Sequence, residues 1–262
     1  MNTRHTLIAS AMLAAGLAST PAHATLQSRL AGQAVYDTAT NLTWVSNANL
    51  IVTTGFGLAY GVNYGNDAYG NPTEIYSNGT ATWSGAEMWV AAMNAKKYLG
   101  YSDWRLPNTN PINPNGTTYN FNYSYDGSTD RGMNMSAPGT AYAGSKGSEM
   151  AYLFYNSLGD KAECAPTSPY SCVVQAGYGL TNTGPFTNFQ NSYWSGTGYA
   201  ANTVDSLIFS FGYGNQTEIS DGYPLYVLAV RSGDVAPTPE PETYAMMLAG
   251  LVLVGTAKRR RG

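Results

Sequence analysis

Only two histidines occur in the 262 residues, His5 and His23, and both fall in a stretch that reads as a removable leader. The exported chain would then carry no imidazole. That excludes Ser-His and Cys-His nucleophilic systems, zinc sites with a histidine ligand, and histidine acid–base catalysis. No G-x-S-x-G elbow, S-x-x-K pair or phosphate-binding loop is present. The G-x-G fragments starting at Gly55, Gly177, Gly196 and Gly212 lack a third glycine at dinucleotide spacing and read as turns. No cofactor is expected.

Three kinds of chemistry stay open. Cys164 and Cys172, the only cysteines, read as a disulfide closing a Pro-containing loop in an exported chain. The loop-entropy model assigns such a bridge about 2.6 kcal/mol. A formylglycine-type catalytic cysteine pair is the alternative, but their setting carries no such motif. In Asp126-Gly-Ser-Thr-Asp130, Asp126 and Asp130 could offer oxygens to calcium, although this is not an EF-hand loop and a solvated turn is the default reading. No other metal site is expected. The acidic residues could also supply a glycosidase carboxylate pair, since spacing in sequence says nothing of their separation in space.

Charge narrows the partners. The chain has 13 Lys+Arg against 16 Asp+Glu, a net of −3 and a pI near 5.3, so nucleic acid is not an expected ligand. At 44% apolar and 13% aromatic, the composition can bury enough surface to fold, which excludes general disorder.

The two ends read as addresses. Residues 1–24 have Arg4 at a positive start, an apolar run from Leu7 to Ala18, and Ala22-His23-Ala24 as an A-x-A cleavage site for signal peptidase. Residues 234–262 begin with a Pro-rich linker that blocks helix and sheet. Fourteen residues dominated by apolar side chains follow, Tyr244 to Ala257, then Lys258-Arg259-Arg260-Arg261. The run is shorter than the ~17–25 residues that span a bilayer comfortably, and the basic cluster would stay on the cytoplasmic side.

Pro239-Glu240-Pro241, the apolar segment and the terminal basic cluster resemble, in that order, the PEP-CTERM sorting tail of Gram-negative bacteria. The resemblance implies exosortase recognition, transient anchoring in the inner membrane, cleavage near the motif, and release to the cell envelope or an exopolysaccharide matrix. Without both ends, residues 25–233 keep 8 basic and 13 acidic side chains, a net of −5.

The body between them must position any site. Asp37 to Asn41 lies between β-formers and reads as a hairpin turn. Ser84-Gly-Ala-Glu87 reads as a capping box, with Trp83 and Met88 as its hydrophobic staple. Ala86, Trp89, Val90 and Met93 then follow helical spacing, with Gly100 as the stop. A second helix is predicted from about Ser148 to Leu158, ended by Gly159. Strands are predicted at Ser192–Ser195, Val204–Phe211 and Leu225–Arg231. This is an α+β pattern.

Two stretches, Ser46–Thr82 and Asn108–Lys146, are rich in Asn, Gly, Tyr, Ser and Thr and show no period. They are either binding loops, with Tyr119, Tyr123 and Tyr125 as ligand-facing residues, or solvated insertions.

Gly100-Tyr-Ser-Asp103-Trp104-Arg105-Leu106-Pro107 is similar to the G-x-x-D-W-R-L-P signature of the Lcl C-terminal domain family. Asn41-Leu-Thr-Trp44, the segment Ser148–Gly159, Tyr193-Trp194-Ser-Gly-Thr197 and Ala229-Val-Arg231 resemble its other elements in order. The resemblance implies a C-type-lectin-like α+β domain with two helices, short antiparallel strands and long loops. It also implies sugar binding or adhesion. Glu-Pro-Asn, Gln-Pro-Asp and Trp-Asn-Asp triplets are missing, so a lectin-type calcium is not expected. Trp104 and Trp194 read as core residues, and Arg105 as the partner of an internal carboxylate or of backbone carbonyls. The leading expectation is a non-enzymatic surface protein that binds a glycan or another surface protein. A carboxylate hydrolase acting on exopolysaccharide and a purely structural matrix component are the alternatives.

Overall fold

The computed structural model describes residues 26–235. The cleavage residues Ala22 and Ala24, the Pro239-Glu240-Pro241 motif and the Lys258–Arg261 cluster lie outside these residues.

A short four-stranded antiparallel sheet opens and closes the domain. Its strands are β1 (Leu26–Arg29), β2 (Ala34–Asp37), β3 (Leu42–Val45) and β11 (Val230–Ser232), in that spatial order. The β2–β3 turn forms where expected. Asp37 Oδ1 accepts from the Ala39 amide at 2.9 Å, and Asn41 takes the left-handed backbone (φ 56°) that asparagine tolerates better than most residues.

A seven-stranded mixed sheet forms the rest of the framework. Its strands are β4 (Thr80–Ala81), β5 (Tyr123–Ser124), β6 (Arg131–Met133), β7 (Ser192–Gly198), β8 (Asp205–Ser210), β9 (Asn215–Ser220) and β10 (Leu225–Tyr226). They lie in the order β4-β10-β7-β8-β9-β6-β5. The β7-β10 and β5-β6 pairs are parallel and the others antiparallel. The predicted strand over Leu225–Arg231 is two strands in different sheets. The buried Val227-Leu228-Ala229 carries the chain from one sheet to the other. β1 and β9 were not predicted, because Leu26–Arg29 and Asn215–Ser220 are short and mostly polar.

Helix α1 (Trp83–Ala95) forms as its apolar spacing requires, with Ala86, Trp89, Val90 and Met93 buried. Its N-cap corrects the expected one. Thr82, in an extended conformation, accepts from the Gly85 amide, whereas Ser84 is already helical and bonds to Thr73 Oγ1. The proposed box with Glu87 and its staple therefore do not form. The second helix is capped by Ser148 and starts as α2 (Glu149–Tyr152), then widens into one π-turn over Leu153–Ser157. Gly159 (φ 73°) ends it.

The core is aromatic. Phe154, Phe209, Phe211 and Tyr193 are fully buried, and rings of successive members meet at centroid distances of 5.1–5.8 Å in tilted or edge-on contacts. Cys164 and Cys172 form a disulfide that closes the loop beside β6 and the π-turn.

Candidate functional site

The Asp103–Pro107 signature proves to be a hub that joins four elements. Asn94 on α1 holds Trp104 at both backbone groups, accepting from its amide (2.9 Å) and donating to its carbonyl (2.8 Å). The buried Trp104 indole donates to Tyr98 O at 3.1 Å. Arg105 pairs with Val230 of β11 through both backbone groups, and its guanidinium grips Glu149 of α2 with two bonds of 2.7 Å. The second Glu149 oxygen also accepts from the Asn108 amide. Leu106 is buried, and the Pro107 carbonyl accepts from Ser195 Oγ and the Gly196 amide of β7. Asp103 pairs bidentately with Arg231, whose guanidinium sits 4.1 Å from the Tyr101 ring centroid. That hydrogen-bonded charge pair holds the Asp103 carboxyl below the usual carboxylate range. Tyr193 and Trp194 are buried, their polar atoms bonded to the Gln190 amide and to Ala81 O. These side chains are spoken for by the fold.

The calcium candidates are spoken for too. Asp130 is buried, and its two oxygens accept from the Ile112 amide (2.6 Å) and the Asn120 amide (2.7 Å). Burial raises its pKa against the effect of those donors. Asp126 accepts from the Ser128 amide and hydroxyl within its own turn. The pair is thus a loop pin and a turn, because backbone N–H groups occupy the oxygens a cation would need. Among the described residues no group of three or more His, Cys, Asp or Glu side chains could hold a metal ion.

The three loop tyrosines are not brought to one place. Tyr119 donates to Thr109 O and stacks on Phe121 at 4.8 Å with a 9° tilt. Phe121 meets Tyr199 edge-on at 4.6 Å. Tyr123 and Tyr125 form a separate edge-on pair, with Tyr123 lining a groove beside Asn122 and Tyr170.

Tyr199 leads to a cleft of about 440 Å³ that sequence reasoning missed. Asp67 and Tyr69 come from the first long loop, and Trp83 is the first residue of α1. Gly198 to Asp205 turn from β7 into β8, and Asp221 follows β9. Backbone bonds tie these segments together. The Trp83 amide donates to Asp221 O (2.9 Å), the Asp221 amide to Val204 O (3.0 Å), and the Tyr199 amide to Asp205 O (2.9 Å). Trp83 is further held through its indole N–H, which donates to Ser195 O at 2.8 Å.

The three carboxylates differ in their surroundings. Asp67 accepts from the Tyr69 and Asn71 amides and from Asn71 Nδ2; although its partial burial alone would raise its pKa, these donors lower it. Asp205 accepts from Asn202 Nδ2 at 2.8 Å. Asp221 is only 5% exposed, and its buried Oδ1 has no hydrogen-bond partner. Burial pushes its pKa up, and the charges of Asp67 and Asp205 add to that. The nearby Ser206 hydroxyl opposes the rise, but its Oγ completes no hydrogen bond in this geometry. The signals in the sequence were weak: a Trp before a helix, and single Asp and Tyr residues in aperiodic loops.

The raised Asp221 pKa has a testable consequence. Its folded-state value lies above its unfolded value, so the native state binds this proton more tightly. Asp221 therefore opposes folding increasingly as pH rises from about 4 through its folded pKa. Asp221→Asn is expected to raise Tm relative to the parent at pH 7, with the gain absent at pH 4. An equal shift at both pH values would show that charge is not the cause.

The fold and cleft define an α+β domain with an aromatic, acidic surface cleft framed by long loops. Comparison with known proteins then specifies the chain. A model of the Lcl C-terminal domain matches residues 33–126, and a model of the PEP-CTERM protein-sorting motif matches residues 237–261. Residues 33–126 are thus similar to an Lcl C-terminal domain, and the PEP-CTERM motif indicates an exported protein with a C-terminal sorting tail that implies processing by exosortase. The domain match takes in the β2–β3 hairpin, α1 and the Asp103–Pro107 signature, and ends before α2. No curated protein and no solved structure matches the chain. Among the described residues no helix is long and apolar enough to cross a membrane.

Proposed function

We propose that this is a non-enzymatic, lectin-like protein of the cell envelope or exopolysaccharide matrix, and that it binds a glycan in the cleft between Tyr69, Trp83 and Tyr199. The observation that carries this reading is three aromatic side chains around a cleft whose floor and rim hold carboxylates. Aromatic rings take the C–H faces of sugars, while carboxylates accept from their hydroxyls. The ridge Tyr199–Phe121–Tyr119 extends the aromatic surface beyond the cleft, enough to meet more than one sugar ring. A C-type-lectin-like assignment of the body is supported by its two helices, mixed sheets and long loops. Signal-peptidase cleavage after Ala24 and transient inner-membrane anchoring complete the route to the surface.

The test is titration of the purified full chain against a glycan array and against polysaccharide from the producing cells. Saturable binding that Tyr199→Ala weakens by at least about tenfold is expected, the size of a lost stacking contact of roughly 1.4 kcal/mol. Failure to bind any glycan, with the native circular-dichroism spectrum retained, sinks the reading.

Asp221 favours one second reading, hydrolysis by a carboxylate pair, because a buried acid with a raised pKa beside Asp205 is the arrangement a general acid needs. Release of reducing ends from the same polysaccharide, abolished in Asp221→Asn, would replace binding by hydrolysis.

A further inference from the structure

The charge of the cleft specifies the ligand more narrowly than its aromatic walls do. Asp67, Asp205 and Asp221 line it, and no Lys or Arg does. None of the salt bridges among the described residues involves these three aspartates. They lie close enough for the charges of Asp67 and Asp205 to act on Asp221. Asp221 is 95% buried and its Oδ1 completes no hydrogen bond, so the floor of the cleft holds a carboxyl group for which the protein supplies no counter-charge. Such a group is costly unless a donor, best a charged one, comes from outside.

We propose that the cleft is specific for a glycan bearing free protonated amines, a de-N-acetylated amino sugar. This deepens the carbohydrate reading above and rests on it. An ammonium group brings three N–H donors and one positive charge to Asp205 and Asp221, while Asp67, whose oxygens already accept from Tyr69 and Asn71, adds its charge. Its sugar ring offers a C–H face to Tyr69, which is 52% exposed, and to Tyr199, whose π-faces also attract a cation. A neutral or N-acetylated sugar would bring hydroxyl or amide donors but leave the charge unbalanced. A uronic acid or sulfated sugar would meet three like charges.

The experiment is calorimetric titration of the full chain at pH 6 with glucosamine hexamer, N-acetylglucosamine hexamer, a galacturonate hexamer and hexalysine. Glucosamine hexamer is expected to bind at least about tenfold more tightly than each of the others. Asp221→Asn and Asp205→Asn, each checked by thermal denaturation for a native fold, should abolish that preference. Equal binding of the free and acetylated hexamers, or tighter binding of the uronate, overturns the amine proposal and leaves the carbohydrate reading standing. Hexalysine binding as tightly as glucosamine hexamer also overturns it, showing a general cation site. Absence of binding to these oligomers and to every member of the glycan array overturns both.

Discussion

Trp194→Ala is expected to cost about 3–5 kcal/mol of unfolding free energy, the largest effect of any single truncation considered. The indole is fully buried on β7, on the face of the sheet opposite Tyr193 and Phe209 and directly across from Ile208 of β8. Its removal leaves a large cavity in a close-packed interior that relaxes only partly around it. It also strips the Ala81 carbonyl of its indole donor at 2.8 Å, adding the desolvation cost of an unmet acceptor. Urea unfolding followed by tryptophan fluorescence and circular dichroism measures the loss. Trp194→Phe, which keeps most of the volume and loses the N–H, should retain more than half of the lost stability. A loss of under about 1 kcal/mol in Trp194→Ala would mean that the strand does not depend on this ring.

Arg105→Met is expected to cost about 3 kcal/mol, because it removes one partner of a partly buried bidentate pair. The Glu149 side chain is only 12% exposed and would keep a single donor, the Asn108 amide. The guanidinium also bonds Leu106 O at 3.1 Å, so the backbone turn after the signature loses a donor. Removing the stranded charge should recover part of the loss. Arg105→Met/Glu149→Gln is expected to be more stable than the sum of the single changes predicts, a coupling of at least about 1 kcal/mol. Chemical denaturation of the four proteins in the cycle measures it. Additive behaviour, or a single-mutant loss no larger than the ~0–1 kcal/mol of a surface pair, would show that Arg105 does not tie α2 to β11.

Both changes bear on the cleft through the framework rather than through ligand contact. Trp194 and Arg105 hold β7, β11 and the two helices in register. β7 in turn sets where Trp83 and Tyr199 stand, through Ser195 O and the turn after Gly198. Their variants should therefore lose stability and glycan affinity together. Tyr199→Ala should lose affinity with little change in stability.

Local chemistry was legible along the chain. The apolar spacing of Ala86, Trp89, Val90 and Met93 named the buried face of α1, and Ser148 named the start of α2. Asp37 to Asn41 named the hairpin turn, because these signals act within one or two turns of backbone. Where two local signals competed, nearest-neighbour reading chose wrongly. Thr82 caps α1 instead of Ser84 because Thr82 stays extended, its amide donating to the Glu74 carbonyl across the chain. The split of Leu225–Arg231 was not legible either, since both halves are apolar and only their pairing partners differ. The roles of Asp126 and Asp130 were not legible for a related reason. Their spacing suits a ligand loop, but the amides of Ile112 and Asn120, distant in sequence, had already taken the Asp130 oxygens.

The sequence by itself determined the C-terminal sorting tail, the α+β class and the elements with strong periodicity. Each of these depends on residue type, order or short spacing, which folding does not alter. Only the tertiary structure decided which aspartates and aromatics share a site. Asp67, Trp83, Tyr199 and Asp221 lie in four separate segments without period or motif. What unites them is the closure of the β7–β8 turn against β9 and the start of α1. It is also packing that buries the Asp221 carboxyl with no counter-charge beside it, and burial is a property of the packed chain that no local run of residues contains.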